Sequence, residues 1–258
     1  MSAAPTLYHW EPNGASARAL ICLGEKGAPF VSCYVNVLAF EQWEPEFLHL
    51  NPGAQVPVLV HDGAALSQAS YICEYVDEAF SGPRLMPADA HGRWRARAWQ
   101  KFVDDGLAAS VSELAWEAYG LPVVATCDGG ALPLGLGSAT PVERRDAWRA
   151  AVSGLDADQL ARARARVGDA VVRAEAHLAH AAWLAGPSYS LADVAAFSYL
   201  NYLPDLCADL LNVSVAPRTM AWLEAVASRP AVRSALATSR SGAPYRCAAP
   251  GPEQVRWG

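Results

Sequence analysis

At 258 residues, with 52% hydrophobic and 18% charged side chains, the chain has a globular rather than a disordered balance. It is long enough to bury a substantial core, as one large domain or two small ones. A formal net charge of −6 argues against a nucleic-acid binder, because no basic excess exists to neutralise phosphates.

The opening MSAAPTLYHW lacks the basic head and apolar run of a signal peptide, and no apolar run reaches bilayer length. The cytoplasm is therefore the expected location. TLYHW reads as a short strand, Ser16 to Lys26 as a helix with Ser16 as its cap, and Gly27 as its stop. FVSCYV reads as a second strand. PVLVHDGAALS is a hairpin signal, two apolar runs about an Asp62-Gly63 turn. Helical spacing follows from Gln68 to Glu78 in Ile72, Tyr75, Val76 and Ala79. The order β-α-β, linker, β-β-α predicts a thioredoxin-like domain over residues 1–83, ending at Ser81-Gly82-Pro83.

Beyond that boundary the pattern is helical. Residues 88–118 predict one long helix, and Gly120 to Pro141 an inserted Gly/Pro-rich loop. Helical periodicity resumes at Trp148 and runs through Leu160 to Leu184, Leu191 to Leu206 and Pro217 to Ala237. The predicted architecture is α/β plus all-α, with a helical-bundle domain over residues 84–240. Residues 241–258 read as an extended or frayed tail.

The six cysteines, at 22, 33, 73, 127, 207 and 247, have no CxxC or zinc-ligand spacing and read as reduced, largely buried thiols. Arg162, Arg164 and Arg166 alternate with alanine and read as a solvated helix face. His177 and His180 share a helix face without a third ligand, so no metal is expected.

Two signatures point to a family. Gln55-Val56-Pro57 precedes the third strand, and Ser190-Leu191-Ala192-Asp193 has the spacing of a capping box. In this domain order they make residues 6–240 resemble a glutathione transferase. Within that superfamily, GEKGAPF, FEQWEPEFLHLNPGAQVPVLVHDG, ICEYVDEAF and the Trp148-Arg149 segment are similar to bacterial β-etherases that cleave lignin-derived aryl ethers, above all the branch acting on the S-configured ether.

The resemblance implies glutathione as co-substrate and a cis bond before Pro57 that turns the Val56 backbone toward the cysteinyl part of the peptide. It implies Ser16 as the hydroxyl that stabilises the glutathione thiolate beside a helix N-terminus. Gln42, Gln55, Val56, Pro57, Gln68, Ala69 and Ser70 are the implied glutathione contacts. Asp104 or Asp105 is placed to reach the glutathione of a neighbouring subunit, since these enzymes are generally dimers. Trp10, Trp116, Tyr119 and Tyr202, with Tyr199, are the aromatic residues expected to line a substrate cleft. The implied reaction is attack of the thiolate on a carbon next to a ketone, releasing an aryloxide and leaving a glutathione thioether.

One pair departs from the family pattern. The usual acid and serine that hold the γ-glutamyl end are Gln68 and Ala69 here. Losing one charge-assisted contact and one hydroxyl costs on the order of 2–4 kcal/mol, or roughly thirty- to a thousandfold in affinity. Ser67 or Ser70 offers a nearby hydroxyl, and the helix N–H groups remain available to a carboxylate. The alternative reading is thus a catalytically weak subunit that completes a catalytic paralogue in a heterodimer.

Two other enzyme classes are weaker. GASAR, Gly14 to Arg18, nearly matches a G-x-S-x-G nucleophile elbow, but Arg18 stands in place of the second glycine and too few strands precede it. A thioether-processing lyase needs a cysteine at the sulfur, whereas position 16 is serine and Cys22 lies further along the helix.

Overall fold

The computed structural model describes residues 4–122 and 151–247. The expected insertion beyond residue 122, the Trp148-Arg149 segment, Cys127, the Cys247 side chain and the tail from residue 248 lie outside the described residues.

The first domain is a four-stranded mixed sheet of order β2-β1-β3-β4. Strand β1 (Thr6–His9) pairs parallel with β2 (Val31–Tyr34) and antiparallel with β3 (Val58–His61), which turns back into β4 (Ala64–Ser67). The β3–β4 turn is Asp62-Gly63, both at positive φ (49° and 80°), as a two-residue hairpin requires. Between β1 and β2 runs α1 (Gly14–Lys26), stopped by Gly27 at φ 62°. The linker to β3 carries two 3₁₀ turns, Val37–Ala39 and Glu41–Trp43, and the short helix α2 (Pro45–Leu50). Helix α3 (Ala69–Ala79) closes the domain and packs on α1.

The predicted long helix is present, beginning two residues later than expected, but it is not uniform. It comprises α4 (Ala90–Phe102), a π segment Val103–Leu107, α5 (Ala108–Ala115) and a second π segment Trp116–Gly120. Three predicted spans are shorter or broken. Helix α6 (Ala157–Leu178) starts at a capping box on Asp156 and stops six residues before Leu184. The Leu191–Leu206 span divides into α7 (Leu191–Leu200) and α8 (Leu203–Leu206), with Pro204 in the first turn of the latter. The Pro217–Ala237 span divides into α9 (Pro217–Ala227) and α10 (Pro230–Leu236), because Pro230 has no N–H to continue a ladder and starts a helix instead.

Every residue of α7 is buried, so a helix apolar all round forms the axis of the second domain and packs on α1, α4 and α9. Its start is fixed by Asp193. The carboxylate accepts from the Ser190 and Leu184 N–H groups at 2.9 and 3.0 Å and from Trp222 Nε1 at 2.9 Å. Burial raises this carboxyl to about 6 despite those bonds. A second buried pair knits the domains: Lys26 Nζ donates to Asp77 Oδ1 and to Pro83 O, both at 3.0 Å. Asp77 also accepts from the Leu85 and Met86 N–H groups at 2.8 and 2.9 Å. This locks α1 and α3 onto the chain that enters the helical domain.

Cys22, Cys73 and Cys207 are buried and Cys33 half-buried, all as free thiols. Arg162 and Arg166 are exposed, while Arg164 pairs with Asp209. His177 and His180 are exposed too, His177 lying edge-on to Trp99. No group of metal-ligating side chains occurs among the described residues. Likewise, no described helix is long and apolar enough to cross a membrane.

Candidate functional site

Ser16 follows the loop that leads from β1 into α1. Its cap role is corrected by the structure: α1 begins two residues earlier, with Asn13 in the cap position and Ser16 inside the first turn. Gly14 permits that early start, because it sits at φ 45° and a Cβ there would lie 3.1 Å from the Tyr199 ring. Ser16 is buried, and its Oγ accepts a hydrogen bond from the Trp10 N–H at 3.1 Å. An oxygen held as acceptor leaves its own proton to donate. The hydroxyl therefore combines a donor with the positive end of a helix, the arrangement that stabilises a thiolate.

Val56-Pro57 is cis, as the resemblance implies. Val56 packs against Trp10 and Val37, which brings this turn next to the Ser16 loop. The Gln55 carbonyl accepts from Asn51 Nδ2 at 2.9 Å, and the Gln55 side chain lies 3.4 Å from Gln68 Nε2. Gln42 is fully buried on the second 3₁₀ turn. Gln68 has φ 68° and ψ 112°, a conformation that a side-chain-bearing residue adopts at a cost. That geometry presents the first turn of α3 with no side-chain cap over it.

Beside this helix start lies a charged triad that the sequence did not reveal. Arg18 is buried, and its guanidinium donates to Asp104 at 2.5 Å and to Ser70 Oγ at 2.6 Å, while Ser70 Oγ donates to Asp104. Burial alone would lower the Arg18 pKa; Asp104 more than offsets it and holds the pKa above its ordinary value. Asp104, expected to reach a neighbouring subunit, is thus engaged within its own chain. The triad joins α1, α3 and the first π segment. Arg18 was visible in the sequence only as the misfit in a hydrolase motif.

The aromatic residues separate into two sets. Trp10 is buried against Tyr34 with ring centroids 5.3 Å apart. Trp116 is buried with Phe40 and Trp43, and its Nε1 donates to the Ala151 carbonyl at 2.8 Å. Tyr199 and Tyr202 are core residues as well. Burial pushes both phenols up, Tyr199 to about 12, and Tyr202 Oη donates to the Pro12 carbonyl at 2.9 Å. Tyr119, in contrast, is half-buried under the Arg246 guanidinium.

The expectation of a frayed tail is overturned for its described part. Residues 239–247 return to the β1–α1 loop and end in a 3₁₀ turn, Pro244–Cys247, against the second π segment. A buried carboxylate, Glu11, supplies the attachment that turn propensities alone do not reveal.

The family model described as glutathione S-transferase, N-terminal domain, matches residues 3–78, and that described as glutathione S-transferase, C-terminal domain, matches residues 139–230. Protein LigF from Sphingobium sp. (strain NBRC 103272 / SYK-6) is 33% identical over 241 residues, 91% of this chain and 93% of that one. The crystal structure of beta-etherase LigF from Sphingobium sp. strain SYK-6 superposes with a TM-score of 0.85 at 31% identity, covering 92% of this chain and 100% of that one. Glutathione transferase F7 from Populus trichocarpa, at 24% identity, shares the fold with a TM-score of 0.70 over 90% of this chain and 99% of its own.

Proposed function

The chain belongs to the glutathione S-transferase family, and from that premise we propose that it cleaves β-aryl ethers next to a ketone, using glutathione as the nucleophile. The observation that carries this reading is the Ser16 hydroxyl. It is held by the Trp10 N–H in the first turn of α1, beside the cis turn at Val56-Pro57. The similarity to a beta-etherase along nearly the whole chain supports the choice of substrate class.

In the proposed reaction glutathione binds along the Gln55–Pro57 turn and the start of α3, and its thiol loses a proton to solvent. The Ser16 hydroxyl donates to the resulting thiolate. The thiolate attacks the carbon bearing the aryloxide; the C–S bond forms as the C–O bond breaks. The neighbouring carbonyl makes that carbon electrophilic, and the aryloxide takes a proton from water to leave as a phenol. The protein supplies thiolate, alignment and an apolar surface.

Gln68 and Ala69 favour a second reading, a weak subunit that completes a catalytic paralogue. Here the start of α3 would meet the γ-glutamyl carboxylate through backbone N–H groups, with the Arg18 charge behind them. Calorimetric titration of glutathione into the chain alone separates the two. Binding in the micromolar to low-millimolar range, followed by turnover of a ketone-activated aryl ether that Ser16→Ala lowers by roughly a hundredfold, is the expected result. No binding would leave the heterodimer reading.

A further inference from the structure

Glu11 is completely buried, yet its carboxylate faces the far end of the chain. Oε2 accepts from the Ser239 and Ser241 hydroxyls at 2.5 and 3.0 Å. Oε1 accepts from Tyr34 Oη at 2.7 Å and from the Arg240 and Ser241 N–H groups at 3.1 and 3.2 Å. Five donors on one buried carboxylate, four of them from three consecutive residues, are more than a chain end needs to find a resting place. Asn13 Nδ2 adds a bond to the Pro244 carbonyl at 2.6 Å.

The position of this attachment matters as much as its number of bonds. The Arg240 guanidinium lies 3.9 Å over the Tyr34 ring, and Tyr34 lies against Trp10, whose N–H holds Ser16 Oγ. Six residues further on, Arg246 lies 5.7 Å over Tyr119 on the second π segment. Residues 239–247 thus bridge the Ser16 loop and the long helix of the other domain. An aromatic group joined to a sulfur at Ser16 has to fit beneath or beside that bridge.

We propose that Glu11 is a positioning residue: its carboxylate clasps residues 239–247 as a strap, and the strap walls the place that receives the aromatic partner of glutathione. The proposal rests on the glutathione reading given above. The clasp acts through the strap and touches no reacting atom. Removing it is expected to loosen the aromatic half of the site while sparing the peptide half at Gln55–Pro57 and α3.

Two measurements on the full chain decide the matter. The first is limited trypsin digestion followed by mass spectrometry, because Arg240 and Arg246 are exposed side chains on a strap that is held down. Cleavage at both is expected to be slow in the wild type and at least about tenfold faster in Glu11→Ala. The Ser239→Ala/Ser241→Ala double variant, which leaves the buried loop intact, should behave in the same way. The second is calorimetry with glutathione and with S-benzylglutathione as the aromatic probe. Glutathione affinity should stay within about twofold, while S-benzylglutathione binding weakens by roughly tenfold in both variants.

Equally fast cleavage in wild type and variants overturns the clasp. Unchanged preference for the aromatic probe after the strap is released overturns the wall. A wild type that binds neither ligand defeats the glutathione reading and the wall with it, and the clasp then stands or falls by digestion alone.

Discussion

Two ion pairs between the first domain and the long helix show how burial decides what a residue contributes. Arg18 is 2% exposed and Arg97 57%, so Asp104 and Glu74 do different work although both sit at salt-bridge distance. Asp104→Ala would leave a buried guanidinium with neutral hydroxyl partners, Ser70 and Tyr199, and no countercharge, and is expected to cost about 3 kcal/mol in urea denaturation. Glu74→Ala on the exposed pair should cost less than about 1 kcal/mol. Glu11 gives a pH signature. Burial alone would push its carboxyl up; the hydroxyls of Ser239, Tyr34 and Ser241 and the Arg240 N–H outweigh this and hold it below the usual range. A carboxyl depressed in the folded state stabilises the fold above its unfolded pKa, and the contribution disappears as pH falls through the folded value. The stability gap between wild type and Glu11→Gln, read by denaturation, should therefore be present near pH 7 and close as the pH falls below about 4.

Elements with local causes were legible in the sequence, and those with distant causes were not. The Asp62-Gly63 hairpin, the Gly27 stop and the Ser190–Asp193 box each rest on residues within a few positions of one another, and each is present as read. Asp193→Ala should cost about 3 kcal/mol by chemical denaturation, because Leu184, Ser190 and Trp222 all lose the acceptor of a buried donor. The start of α1 was misread because it depends on Tyr199, far along the chain, which reserves position 14 for glycine. Gly14→Ala is accordingly expected to cost about 1–3 kcal/mol, through positive φ and contact with that ring together. The Arg18–Asp104–Ser70 triad was hidden for the same reason: its members lie on three elements that only the assembled fold brings together.

At the scale of the whole molecule, the surface formed by α3 and α4 exposes two large aromatic side chains. Tyr71 is 72% exposed and Trp94 63%, each one helical turn from the residue it flanks in the Arg97–Glu74 pair. Aromatic anchors beside a charged pair suit a contact with a second subunit, whether a copy of this chain or a paralogue, and a dimer is expected to use this surface. Light scattering should report a dimer for the wild type and a monomer for Tyr71→Glu/Trp94→Glu; a variant that stays dimeric would move the interface elsewhere. The domain order was legible from alternating strand and helix patterns. The docking of residues 239–247 was not, since a Gly/Pro-rich stretch reads as loose until the carboxylate that holds it is known.

The long helix has an implication for how such a protein changes over generations. Each of its π segments contains one residue more than an α-helical turn would take, and Asp104 lies in the first while Trp116 and Tyr119 lie in the second. Loss of a single codon between Val103 and Leu107 would turn the wide turn into an ordinary α-helical one, so that the bulge and not the helix beyond it absorbs the change in length. Trp116 and Tyr119 would keep their neighbours, while the turn that carries Asp104 is rebuilt. Selection on this lineage thus has a lever that ordinary substitution lacks: it can remake the Asp104 turn by length alone, leaving the Ser16 turn and the aromatic surface untouched.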